Sequence, residues 1–190
     1  MLKSKKTHLL LVLAMSLILQ SCAGLIIGAG VGAVSIAHDR RTIGTQVDDT
    51  TTASRISIAI SYDAIIKEQT SISVQVFNGI ALLVGQAPTQ ELIQQAEKLA
   101  SSIKNIKKMH NQIRLGTPLS PRLVANDAWI ASKVKTKLIA DKRIDGLHIK
   151  IEVENSEVFL MGLVSEQESN IAVDITRNTE GVKQVINAFE

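Results

Sequence analysis

"SISVQVFNGIALLVGQ", residues 71–86, decides the fold. Ile72, Val74 and Val76 alternate with polar residues, the period of a strand with one buried face. Asn78-Gly79 comes next, and both residue types accept the positive φ angles of a type I′ turn, so the chain doubles back as a hairpin. The return run "IALLVG" is apolar at almost every position. The stretch "HIKIEVENSEVFLMGL" (148–163) repeats the pattern, with Ile149, Ile151 and Val153 alternating and Asn155-Ser156 at the turn. Ser156 has a side chain where Gly79 has none, which weakens the turn signal in this copy.

Two further blocks repeat in the same order. "DDTTTASRISIAI" (48–60) matches "NDAWIASKVKTKL" (126–138), and "IKKMHNQI" (106–113) matches "VKQVINAF" (182–189). Two copies at so long a period mean a duplicated domain and not a solenoid. Each copy opens on a helical period: Ile56 and Ile60 in the first, Ile130, Val134 and Leu138 in the second. After the hairpin a second helix carries Leu92, Ala96, Leu99 and Ile103, or Ile171, Ala172 and Ile175, the latter behind a Ser165/Glu168 capping box. A last strand closes the unit. The expected fold is α+β: two tandem αββαβ domains, each with two helices packed on one face of a small mixed three-stranded sheet.

The N-terminus stands apart. "MLKSKK" and the apolar run "LLLVLAMSLIL" (9–19) have the form of a secretory leader. "LQSC" (19–22) follows and resembles a bacterial lipobox, which implies cleavage before Cys22 and acylation of that residue. As the sole cysteine, an acylated Cys22 leaves no free thiol in an oxidising compartment. The alternative is an uncleaved membrane helix, because residues 9–37 carry no charge and Gly24, Gly28 and Gly32 repeat as GxxxG. The expected divisions are a leader over 1–21, a lipid-anchored tether over 22–45, a first domain over 46–114, a linker with two prolines over 115–124 and a second domain over 125–190.

Cleavage also changes the charge argument. Three of the 21 Lys and Arg lie in the leader and none of the 18 acids, leaving 18 of each and a net charge of zero. The basic isoelectric point belongs to the precursor and gives no reason to expect a nucleic-acid partner. No catalytic or metal-ligating set is legible: the histidines are isolated, and HExxH, GxSxG and P-loop patterns are missing. No cofactor is expected. Glu152 and Glu154 share one strand face, and a solvated face accounts for them.

The hairpin "ISVQVFNGIALLVG" (72–85), the helix pattern "D…A-[ST]-[KR]-[VI]" and the closing "VKQVINAF" resemble the BON domain. Behind a lipobox, two such copies resemble the dual-BON-domain outer-membrane lipoproteins. That resemblance implies a lipid-anchored protein on the periplasmic face of the outer membrane, without enzymatic activity, binding phospholipid and supporting envelope integrity. Copy two departs from the pattern at Ser156, and copy one at Asn105, where copy two has Gly181.

The two first helices differ on their outer faces. Trp129, the only tryptophan, points away from the Ile130/Val134/Leu138 stripe. Where copy two has Trp129, Lys133, Lys135 and Lys137, copy one has Thr51, Arg55, Ser57 and Ala59, so the fold alone does not require them. An indole bordered by lysines suits the headgroup zone of an anionic membrane. Trp129, Ser132, Lys133, Lys135, Thr136 and Ile139 are the expected phospholipid contacts. Two other uses of Trp129 stay open: packing against copy one, with Tyr62 as the facing residue, or anchoring an envelope protein partner, which would make the chain an adaptor.

Overall fold

Thr42 starts the first domain: its hydroxyl accepts the Thr45 N–H at 3.1 Å and caps helix α1 (Ile43–Tyr62). The computed structural model describes residues 39–190; the leader, Cys22 and most of the tether fall outside them. Helix α1 thus begins inside the segment read as tether, and it buries Asp49, Thr52, Ile56 and Ile60. A short helix α2 (Ala64–Gln69), unannounced by any periodicity, follows on an Asp63 cap and seats Ile66 in the core. Strands β1 (Ser71–Phe77) and β2 (Ile80–Ala87) pair antiparallel. Helix α3 (Gln90–Ser101) then crosses over, and β3 (Lys108–Leu115) lies parallel to β2.

The second domain repeats this with α4 (Pro121–Ala140), β4 (Lys150–Glu154), β5 (Glu157–Met161), α5 (Glu166–Arg177) and β6 (Gln184–Asn187). A 3₁₀ turn (Gly146–His148) stands where copy one has α2. Sheet orders are β1-β2-β3 and β4-β5-β6, each mixed. Part of the expected linker is helical: Pro121 occupies the first turn of α4, where a missing N–H costs nothing.

The departures of single residues do not change the backbone. Asn155 (φ 50°) and Ser156 (φ 66°) adopt the same turn as Asn78 (φ 50°) and Gly79 (φ 80°). Asn105 (φ 73°) takes the left-handed conformation of Gly181 (φ 94°), asparagine being the side chain that tolerates it best.

Each sheet has a helical layer on one face, as expected, but its other face is not solvated. The two sheets stack on each other. Phe77, Ile80, Leu82 and Val84 meet Phe159, Met161 and Ala188 in a core of their own, distinct from the cores beneath the helices. This is why the return strands are apolar throughout: β2 is buried on both faces along its whole length. Equivalent positions meet across the stack, as in an isologous dimer. Gln75 donates to Glu152, its own counterpart in copy two, at 3.0 Å. Arg114 pairs with Glu157 at 2.8 Å, and Glu190, the counterpart of Arg114, accepts from Asn78 at 2.7 Å.

The stack corrects the reading of Glu152 and Glu154 as a solvated face. Both are partly buried between the sheets, where Glu152 also accepts from Ser73 and Glu154 accepts from Gln86.

Candidate functional site

Helix α4 is set by its buried face. Ile130, Val134 and Leu138 are fully buried, and one turn earlier Asp127 reaches across to the hairpin. Its carboxylate accepts the N–H groups of Asn155 (2.8 Å) and Ser156 (2.9 Å), the two residues with positive φ. Asp49 does the same for Asn78 (2.6 Å) and Gly79 (2.8 Å), and also pairs with Arg41 at 2.6 Å. Sequence reasoning missed this clamp. The signal was present, since Asp49 and Asp127 fall in register when the copies are aligned.

With that face fixed, Trp129, Ser132, Thr136 and Ile139 share the exposed face. Trp129 is 63% exposed and Tyr62 87%, so neither fills an interface between the domains. Lys133 stands beside the indole, its Nζ 6.0 Å from the ring centroid, at the outer range of a cation–π contact. The same Nζ lies 3.7 Å from the exposed Glu180.

Lys135 is placed differently from its neighbours. Its ammonium turns inward and donates to the carbonyls of Gly146 (2.9 Å) and Ile149 (2.8 Å). Burial pushes its pKa down, partly offset by nearby Asp145. In this conformation Lys135 supports the 3₁₀ turn. Gly146 lets that turn lie directly on the end of α4: a Cβ there would sit 2.3 Å from the Leu138 carbonyl carbon.

The turn presents Leu147, 43% exposed, beside Ile139, 50% exposed; both line a cleft of about 430 Å³ that also contains Lys142, Arg143 and Glu168. Leu147 extends the apolar patch and was not foreseen, because nothing local marks which side of a loop faces out. Arg143 holds the Asp141 carboxyl down at about 2, chiefly by its hydrogen bonds.

Arg40, just ahead of α1, also reaches this end of the second domain. Its guanidinium grips both oxygens of Glu168 (2.9 and 2.7 Å) and the Leu163 carbonyl (3.0 Å). Glu168 lines the cleft that Ile139 and Leu147 border, so Arg40 lies beside it. Among the described residues no helix is long and apolar enough to cross a membrane.

Two αββαβ domains in tandem, stacked through their sheets, make the class clear: the BON domain pattern matches residues 48–117 and 126–190, and the chain belongs to the BON-domain family. Among individual proteins, it is 34% identical over 182 residues to the outer membrane lipoprotein DolP of Haemophilus influenzae, covering 96% of this chain and 94% of that one. It is 37% identical over 151 residues to the 21 kDa hemolysin of Actinobacillus pleuropneumoniae, covering 80% and 78%. The osmotically-inducible protein Y of Escherichia coli is 28% identical over 149 residues, covering 76% and 73%.

Proposed function

We propose that this chain is an outer-membrane lipoprotein, acylated at Cys22 and facing the periplasm, that binds anionic phospholipid through the outer face of α4. It acts as a binder and not as a catalyst. One observation carries the reading: Trp129, Ser132, Thr136 and Ile139 lie exposed on a helix whose opposite face is fully buried, with Lys133 against the indole. A large aromatic left in water beside a cation gains by entering the headgroup zone. Leu147 continues the wedge, and Lys135 holds the turn that carries it. Similarity to DolP over nearly the whole chain supports the location.

The anchor makes a small patch sufficient. Seventeen residues separate Cys22 from Arg40. Even weak contact becomes effective at the local concentration this imposes.

The test is the fluorescence of Trp129, the single tryptophan, in a chain beginning after Cys22. Vesicles of phosphatidylglycerol mixed with phosphatidylcholine should shift its emission to the blue, and phosphatidylcholine alone should not. Lys133→Glu reverses one charge, worth about 2 kcal/mol or roughly a 30-fold loss of apparent affinity. Emission unmoved by either vesicle refutes the site.

A second reading, an adaptor for another envelope protein, draws on one face of α1. There Ile43, Val47, Ile58 and Tyr62 are exposed and no charged residue lies among them. Vesicle binding without any added protein separates the two.

A further inference from the structure

We propose that Glu154 takes up a proton in the folded protein and shares it with Gln86, so that the stacked sheets hold together more tightly as pH falls. Gln86 projects from β2 into the space between the sheets and is only 5% exposed. Its Nε2 donates to Glu154 Oε1 at 2.7 Å, while its Oε1 is buried with no hydrogen-bond partner among the described residues. Buried amide oxygens are rarely left so, because the lost water is not replaced.

The missing donor is one proton away. A carboxylic acid at Glu154 would donate from Oε2 to Gln86 Oε1 and close a two-bond acid–amide pair. Turning the amide over does not remove the need. Its oxygen would then face a carboxylate oxygen at 2.7 Å, a contact that only an intervening proton makes attractive.

The surroundings favour the acid. Asp127 on α4 and Glu152 on β4 are like charges nearby. Glu157 stands opposite Glu154 on β5, but Arg114 of β3 pairs with it. Lys183 reaches the Asn155 carbonyl, at 3.5 Å. Both carboxylate oxygens of Asp127 and of Glu152 accept donors, whereas Glu154 has a donor on one oxygen among the described residues. Burial, first, and then the two acids push the Glu154 carboxyl up, against the opposing Gln86 bond.

A group whose pKa is higher folded than unfolded binds its proton more tightly in the native state. Stability is therefore gained as pH falls through the folded value and levels off below the unfolded one.

Carbon-13 NMR of the Glu154 side-chain carboxyl, in the chain beginning after Cys22, is the direct measurement. A titration midpoint above the ordinary 4.5 is expected. A midpoint at or below 4.5 overturns the proposal, and no variant need fold. Glu154→Gln supplies a second reading, since its amide donates to Gln86 Oε1 at any pH. The difference in Tm, variant minus wild type, should fall between about pH 8 and about pH 5. A difference that stays constant or grows overturns the proposal.

Discussion

Asp127→Asn tests the clamp that fixes α4 to its hairpin. The buried carboxylate accepts two backbone N–H groups, at 2.8 and 2.9 Å; the Ser156 donor is buried and the Asn155 donor partly so. Asparagine keeps one acceptor and places an NH₂ against the second donor. One charge-assisted bond is lost and one buried N–H is stranded, a cost of about 2 kcal/mol. Asp127→Ala strands both and costs about 3–4 kcal/mol. For a unit of this size, Asp127→Asn should lower Tm by about 4–8 °C. Urea unfolding with an unchanged m-value would assign the loss to stability, and faster amide exchange at Asn155 and Ser156 would locate it. If both variants melt within about 0.5 kcal/mol of wild type, the clamp does not hold the helix and the reasoning is wrong.

Other perturbations test other parts. Gly146→Ala places a Cβ within 2.3–2.6 Å of the Leu138–Ile139 backbone, so the 3₁₀ turn must lift away; we expect a loss above about 2 kcal/mol and weaker vesicle binding as Leu147 leaves Ile139. Ser156→Gly relieves a left-handed φ of 66° and should stabilise by about 1 kcal/mol in thermal melts. The Glu168 carboxyl is held down to about 2, chiefly by the Arg40 hydrogen bond. A depressed pKa stabilises fully above the ordinary 4.5 and loses its contribution as pH falls from there to about 2, the direction opposite to Glu154. Arg40→Ala should therefore move the Glu168 carboxyl titration upward in NMR; an unmoved midpoint would show that the Arg40 contact does not form.

The sequence is most informative where a local pattern has one cause. Alternation with Asn78-Gly79 specifies the first hairpin, and the stripe of Ile130, Val134 and Leu138 specifies the buried face of α4. By exclusion that stripe also turns Trp129 outward. Helix α2, at six residues, is too short to show a period.

The sheet stack was hinted at by return strands apolar on both faces, but β2 buries one face under helices and the other against β5, and composition does not name the second partner. Glu152 and Glu154 were misread for the same reason: a carboxylate on an alternating strand looks solvated until Ser73, Gln75 and Gln86 are seen opposite it. Lys135 shows the limit for the candidate site. Its position on the helix wheel places it at the edge of the patch, yet four methylenes let its ammonium reach back to Gly146 and Ile149.

The sheet-on-sheet stack has a consequence for how such a chain can evolve. Each domain is the lid on the other's apolar wall, so deleting one would bare Phe77, Leu82 and Val84, or Phe159 and Met161, on the survivor. The duplication is in that sense hard to undo: neither half is spare. The helical layers face away from the shared wall and carry no such obligation. The outer face of α1 carries Thr51, Ser57 and Ala59 with Arg55, where that of α4 carries Trp129 and lysines. Constraint sits at the centre and novelty at the outside, and substitutions that alter partner or surface preference should accumulate on α1 and α4 long before they reach β2 or β5.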